Sequence, residues 1–165
     1  MGVSLYEITI PVFIKQLNII KSLLEKGQAH PDKDDSTLLA SRLIADMQDL
    51  PYQIQRVSDT AKGFAVRVGK VENEAWEDNE KTFADLYARI DKTIKFLEKV
   101  DAKTVNEQVD KEVILQTRAG NRVFPSGTDY ALTFGIPNFY FHFCMIYALL
   151  RKDGVPIGKK DYLGA

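Results

Sequence analysis

Cysteine is nearly absent from this chain. Cys144 stands alone, so an intrachain disulfide and any multi-cysteine zinc site are excluded. Histidine is almost as scarce: His30 and His142 are the only two, too few for a site that draws three imidazoles from one chain. Neither sign of charge dominates. Lys and Arg total 22 against 23 Asp and Glu, for a net charge of -1 and a pI of about 6.1. Such a chain has no overall attraction for nucleic acid or acidic lipid, and neither partner is expected. No phosphate loop of the form GxxxxGK[ST] and no GxSxG elbow occurs. The most apolar run, Pro137 to Leu150, is shorter than the ~20 residues that span a bilayer, and it carries Asn138 and His142. It reads as a buried helix. Met1 to Ile10 has no basic start and contains Glu7, so no secretory signal is expected and the cytoplasm is the expected address.

What is present is an ordinary globular balance. Of 165 residues, 45% are hydrophobic and 27% charged, which suits a single domain over residues 1–165. Ile10, Phe13, Leu17, Ile20 and Leu24 recur at three- and four-residue steps and predict a first helix over Leu5 to Lys26. Ser4 and Glu7 have capping-box spacing. Pro11 either kinks this helix or marks where its regular part starts, and Gly27 reads as its C-cap.

Gln28 to Asp35 is a polar connection. A second helical region, capped by Ser36, is expected to reach Val68 and to end at Gly69. Its stripe is Leu43, Met47, Leu50, Ile54, Val57, Ala61, Phe64 and Val68, with a kink or break at Pro51. Trp76 falls in a polar loop. A third helix, capped by Asn79 or Asp78, carries Phe83, Leu86, Ile90, Ile94 and Leu97. Val113 to Thr117 and Arg122 to Phe124 then predict a small hairpin with a Gly120-Asn121 turn. The last helix starts near Ser126 or Thr128 and runs to about Lys152, with Leu132, Gly135, Phe139, His142, Ile146 and Leu149 on its core stripe. Phe134, Tyr140, Phe141, Phe143 and Tyr147 make its other face apolar too, so more than one neighbour must cover it. Four long helices predict a mostly all-α, antiparallel four-helix bundle with a small β-hairpin between helices three and four.

His142 is the most informative polar residue, because it interrupts an apolar stripe. Asn138 lies four residues earlier on the same side, the spacing at which two side chains converge on one ion or ligand. The plainer alternative is a core histidine hydrogen-bonded to Asp46, Asp49 or Tyr52. Asp46, Asp49 and Gln53 flank the second stripe, where they either meet the last helix or sit in solvent. A carboxylate facing His142 would raise its pKa. Cys144, two positions from His142, points elsewhere and reads as a buried inert thiol. His30, before Pro31, reads as exposed.

The stretches Pro137-Asn138-Phe139-Tyr140-Phe141-His142, Tyr147-Ala148-Leu149-Leu150-Arg151 and Gly158-Lys159-Lys160-Asp161-Tyr162-Leu163-Gly164 resemble a bacterial and fungal family of unknown function. Arg42-Leu43 with Asp46-Met47, Ser58-Asp59 with Ala61-Lys62-Gly63, and Asp78-Asn79-Glu80 with Thr82-Phe83 carry the same resemblance. The family looks like a branch of the DinB/YfiT-like superfamily. That resemblance implies a four-helix bundle and a homodimer. Many members are regarded as metal-dependent enzymes, and some relatives are thiol-dependent transferases or isomerases. Their metal site takes one His from the second helix and an HxxxH pair from the fourth. Matching the fourth helices through Arg151 and Gly154 puts His142 at the second His of that pair and Asn138 at the first. The remaining His falls near Met47. Only one of three ligands is present, so no metal and no cofactor is expected, with zinc or nickel left open.

The expected function is therefore small-molecule or partner binding near His142, Asn138, Asp46 and Gln53, in a pocket left by a degenerate metal centre. An active transferase, isomerase or hydrolase, metal- or thiol-dependent or using His142 with Asp46 as an acid/base pair, is the first alternative. A purely structural homodimer is the second.

Overall fold

The computed structural model describes residues 2–165. Four long helices form the bundle: α1 (Ile10–Gln28), α3 (Leu50–Arg67), α4 (Phe83–Leu97) and α7 (Ile136–Lys152). α3 packs on α4 and on α7, and α1 closes the ring against α4 and α7. Short helices α2 (Asp35–Leu39), α5 (Ala102–Asn106), α6 (Gly127–Tyr130) and α8 (Lys159–Leu163) fill the connections, together with an antiparallel hairpin of β1 (Val113–Thr117) and β2 (Gly120–Phe124).

The Ser4–Glu7 box forms, with the Ser4 N–H donating to Glu7 at 2.8 Å, but it closes an irregular turn. The regular helix begins at Ile10, with Pro11 in its first turn, where a missing N–H costs nothing. Gly27 is not the cap. It lies inside α1, where a Cβ would come within 2.9 Å of Leu150 Cδ2, so its bareness lets α7 approach.

The expected second helix is broken in two. α2 is capped by Asp34 rather than Ser36, and α3 begins only after the Asp49 carboxylate caps the Tyr52 N–H. Residues 40–49 between them are irregular, so Leu43 and Met47 leave the stripe. Pro51 explains the break: it offers no N–H to the Met47 carbonyl, and its ring crowds that carbonyl in a continuous helix. α4 is capped by Thr82, in a box with Asp85, and not by Asn79 or Asp78.

In the hairpin, Thr117 pairs with Gly120, so the two-residue turn is Arg118-Ala119. Gly120 takes a positive φ of 119° as the first residue of the returning strand. Ser126 caps α6 as expected. The chain then widens into a π turn over Ala131–Gly135 before α7, where Pro137 leaves the Thr133 carbonyl without its usual donor. That turn exposes Leu132, expected on the core stripe. Gly127–Lys152 is long and apolar enough to cross a membrane by length and composition. Its Phe139, Phe143, Ile146 and Leu149 are fully buried among the other helices, which is the packing of a central bundle helix.

Candidate functional site

His142 projects from α7 toward the first turn of α3. Its Nδ1 lies 2.8 Å from Gln53 Oε1. Gln53 is buried, and its Nε2 donates to the Gln48 carbonyl at 3.2 Å. A carbonyl only accepts, so this second bond fixes which way the amide faces. Oε1 therefore receives a proton from the ring, and Nδ1 carries that proton. The lone pair is left on Nε2. Nε2 has no partner among the described residues and is not one of the buried unpartnered side-chain atoms, which are Gln16 Oε1, Arg56 Nε and Asp153 Oδ2. It is not fully sealed from solvent.

Tyr52 and Phe141 flank the ring edge-on, with centroids 6.2 and 5.1 Å away. The Arg56 guanidinium covers the Tyr52 ring at 5.1 Å and is paired with Asp59 and Asp78. Burial, and next the charge of Arg56, push the His142 pKa down from 6.5 to about 4. The expectation of a facing carboxylate and a raised pKa is overturned. The imidazole is neutral across the physiological range.

The unfolded chain takes up the His142 proton near pH 6.5 and the folded chain only near 4, so stability is full above 6.5 and falls as pH drops toward 4. For a half-buried ring, solvent screening reduces the loss to about 1–2 kcal/mol. The capping carboxylates Asp34, Asp85 and Asp101 are held below their usual values by the backbone N–H groups they accept, so they titrate later. Urea unfolding at pH 7 and pH 4.5 should show this loss in the native chain and little of it in His142→Gln. An equal loss in both would assign it elsewhere.

The other expected site residues do not converge on the ring. Asp46 is exposed in the irregular 40–49 segment and, among the described residues, has no side-chain hydrogen bond or ion pair. Asp49 caps α3 and pairs with Arg42 at 3.2 Å. Asn138 turns away and donates to Thr60 Oγ1 at 2.7 Å. Cys144 is exposed rather than buried, and its Sγ meets the Tyr162 hydroxyl at 3.3 Å. His30 is half-buried, its Nδ1 accepting from the Asp32 N–H at 3.2 Å. Sequence reading missed Phe141 and Arg56 as neighbours of the ring. The α-helical step Gln53–Arg56 signals the arginine, and Phe141 is the sequence neighbour of His142.

These residues do not fit the superfamily's metal centre. The position near Met47 lies outside any helix. The α3 side chain that reaches His142 is Gln53, whose oxygen is engaged by the ring N–H. Among the described residues no group of three or more His, Cys, Asp or Glu is placed to hold a metal ion. One imidazole beside amides is a weak donor set for zinc or nickel.

A second polar cluster joins α3, α4 and the connection between them. Arg89 is almost fully buried. Its Nε donates to Ser58 Oγ at 2.8 Å, and its guanidinium pairs with Asp59, Asp78 and Glu80. Trp76 packs on Phe96, with Lys62 and Lys92 over its ring. Three cavities, of about 520, 450 and 400 Å³, share Trp76. Two further cavities lie by the N-terminal turn and between α1 and α8. His142 lines none of these five. The C-terminal helix α8 docks on α1 and stacks Tyr162 on Phe143 at 4.4 Å.

Comparison with known proteins agrees with this architecture. No curated protein matches the chain. A crystal structure of a DinB family member protein from Shewanella denitrificans superposes with a TM-score of 0.85 at 34% identity, covering 98% of this chain and 92% of that one. The family described as "Domain of unknown function (DUF1993)" matches residues 5–163. The chain therefore belongs to the DUF1993 family, a DinB-like bundle of unknown function.

Proposed function

We propose that this protein binds a small molecule at His142, without a metal, through the Nε2 lone pair. One observation carries the reading: the doubly bonded Gln53 amide pins the proton on Nδ1 and leaves Nε2 an unpartnered acceptor on a ring flanked by Tyr52 and Phe141. A low-pKa imidazole is a weak general base at neutral pH but a constant hydrogen-bond acceptor. The ligand supplies an N–H or O–H donor. Shift mapping of the labelled protein against neutral fragments that carry such a donor tests this. Hits should move the signals of Tyr52, Gln53, Phe141 and His142 and should be lost in His142→Phe. A screen in which no fragment moves those signals ends the proposal.

A homodimer is the second reading, favoured by Leu132 and Phe141 standing exposed on the last helical stretch. Sizing chromatography at micromolar concentration should give twice the chain mass, and a monomer removes it. The cytoplasm is the compartment this reading assigns, where Cys144 stays reduced.

A further inference from the structure

The largest of the five cavities, about 520 Å³, is lined by Trp76 and Phe96 together with Lys92, Lys95 and Lys99. Small-molecule sites are of this size, about 300–1,000 Å³. Phe96 is buried, Trp76 half-buried and the three lysines exposed, so an aromatic floor lies under a cationic rim. Ala88, Lys92 and Lys95 follow one another at four- and three-residue steps on one face of α4. Ala88 is exposed and lines both this cavity and the neighbouring one of about 450 Å³. Its small side chain leaves room beside the indole. The wall that carries Trp76 is already fixed. The indole N–H donates to Glu74 Oε2 at 3.2 Å, and the ring meets Phe96 edge-on at 5.4 Å. Glu74 is held in turn, its Oε1 by Lys99 at 2.8 Å and its carbonyl by Lys62.

Charge in this cavity does not balance. Among the described residues its carboxylates are Glu74 and Asp91. Glu74 is paired with Lys99, and Asp91 with Lys21 at 2.8 Å. Lys92 rests its Nζ over the Trp76 ring at 4.5 Å. Among the described residues neither Lys92 nor Lys95 has a side-chain hydrogen bond or ion pair. Two ammonium groups one helical turn apart thus repel each other with no counter-charge between them, in a chain whose net charge is -1.

We propose that this cleft binds a small phosphorylated aromatic molecule, its ring against Trp76 beside Ala88 and its phosphate held by Lys92 and Lys95. A phosphate monoester carries close to two negative charges at neutral pH, which matches the two uncompensated ammonium groups. A carboxylate would neutralise only one of them. Lysine binds phosphate as a point charge with rotatable donors, so both side chains can turn onto one headgroup. The ring of the ligand displaces water from the indole and packs in an offset or edge-on contact. Because Trp76 is pinned before the ligand arrives, little ordering is required of the floor. This site is separate from His142 and does not depend on the reading of that residue.

Trp76 is the only tryptophan, so its emission in the whole chain reads occupancy of the cleft. Phenyl phosphate should change that emission saturably. Inorganic phosphate, which lacks the ring, and phenol, which lacks the charge, should each bind at least about tenfold more weakly. Lys92→Gln with Lys95→Gln, at exposed positions where glutamine keeps the helix propensity, should weaken phenyl phosphate about tenfold and leave phenol unchanged. Ala88→Leu, also at an exposed position, should fill the gap and weaken both ring-bearing probes. An emission spectrum unmoved by phenyl phosphate overturns the site. Inorganic phosphate binding as tightly as phenyl phosphate overturns it too, since the lysines would then attract anions without the aromatic floor. So does a double-glutamine variant that binds phenyl phosphate as tightly as the native chain. None of these outcomes bears on His142.

Discussion

Arg89→Met should cost about 3–5 kcal/mol of folding stability, the usual consequence of removing one partner from a buried ionic cluster. The guanidinium is surrounded on every polar edge. It serves Ser58, Asp59, Asp78 and Glu80 and the Glu77 carbonyl at once. Asp59 and Asp78 are partly exposed and regain water when the arginine goes. Glu80 does not, since its side chain is only 7% exposed. Most of the loss therefore belongs to one buried carboxylate left with only the neutral Gln55 amide as partner, and Arg89→Met combined with Glu80→Gln should recover a large part of it. Urea denaturation of the two singles and the double measures the coupling. A single-variant loss below about 1 kcal/mol, within the range of exposed ion pairs, would show that the cluster is solvated and that burial is not what gives it weight. The same cluster pins the connection between α3 and α4, so Arg89→Met should also raise proteolysis near Trp76.

Phe139→Ala should cost a similar ~3–5 kcal/mol, for a different reason. Phe139 is fully buried, stacks on Phe13 with centroids 4.7 Å apart, and meets Tyr140 edge-on. Nothing polar is lost on truncation. The cost is transfer of the ring and the void left between α1 and α7. Because Asn138 and His142 sit on either side of it in sequence, relaxation of α7 into that void should also loosen the Gln53–His142 hydrogen bond. Urea unfolding gives the first effect and the nitrogen shifts of His142 the second. A loss under about 1.5 kcal/mol would mean that the helices close the void completely.

The bundle was legible in the sequence because each long helix carries one apolar stripe of correct period. Phe13 and Leu17, Ile54 and Val57, Leu86 and Ile90, and Phe139 and Ile146 are all buried as their spacing predicts. The hairpin was legible from β-branched residues around a glycine. The second helix misled because Leu43 and Met47 continue the period of α3 on paper. Asp49 followed two residues later by Pro51 was the stronger signal, a capping side chain ahead of a proline in the first turn. That misreading carried Asp46 onto a helix face it does not occupy. Gln53 was in view, but which of four nearby polar groups would meet His142 depends on the rotation of α3 against α7, and no local pattern encodes that. The Arg89 cluster was invisible for the same reason. Its partners come from positions 58 and 59 on α3 and 78 and 80 in the connection ahead of α4, and no periodicity links the two pairs. Two of the stretches that carry the family resemblance, Ser58-Asp59 and Asp78-Asn79-Glu80, meet at this arginine.

The lone thiol gives the molecule a built-in reporter. Cys144 is the only cysteine, it faces outward, and its sulfur touches the hydroxyl of Tyr162 on the docked C-terminal helix. A maleimide dye joined there sits beside that tyrosine, so a change in its emission reports displacement of the C-terminal helix from the body of the protein, without any engineered residue.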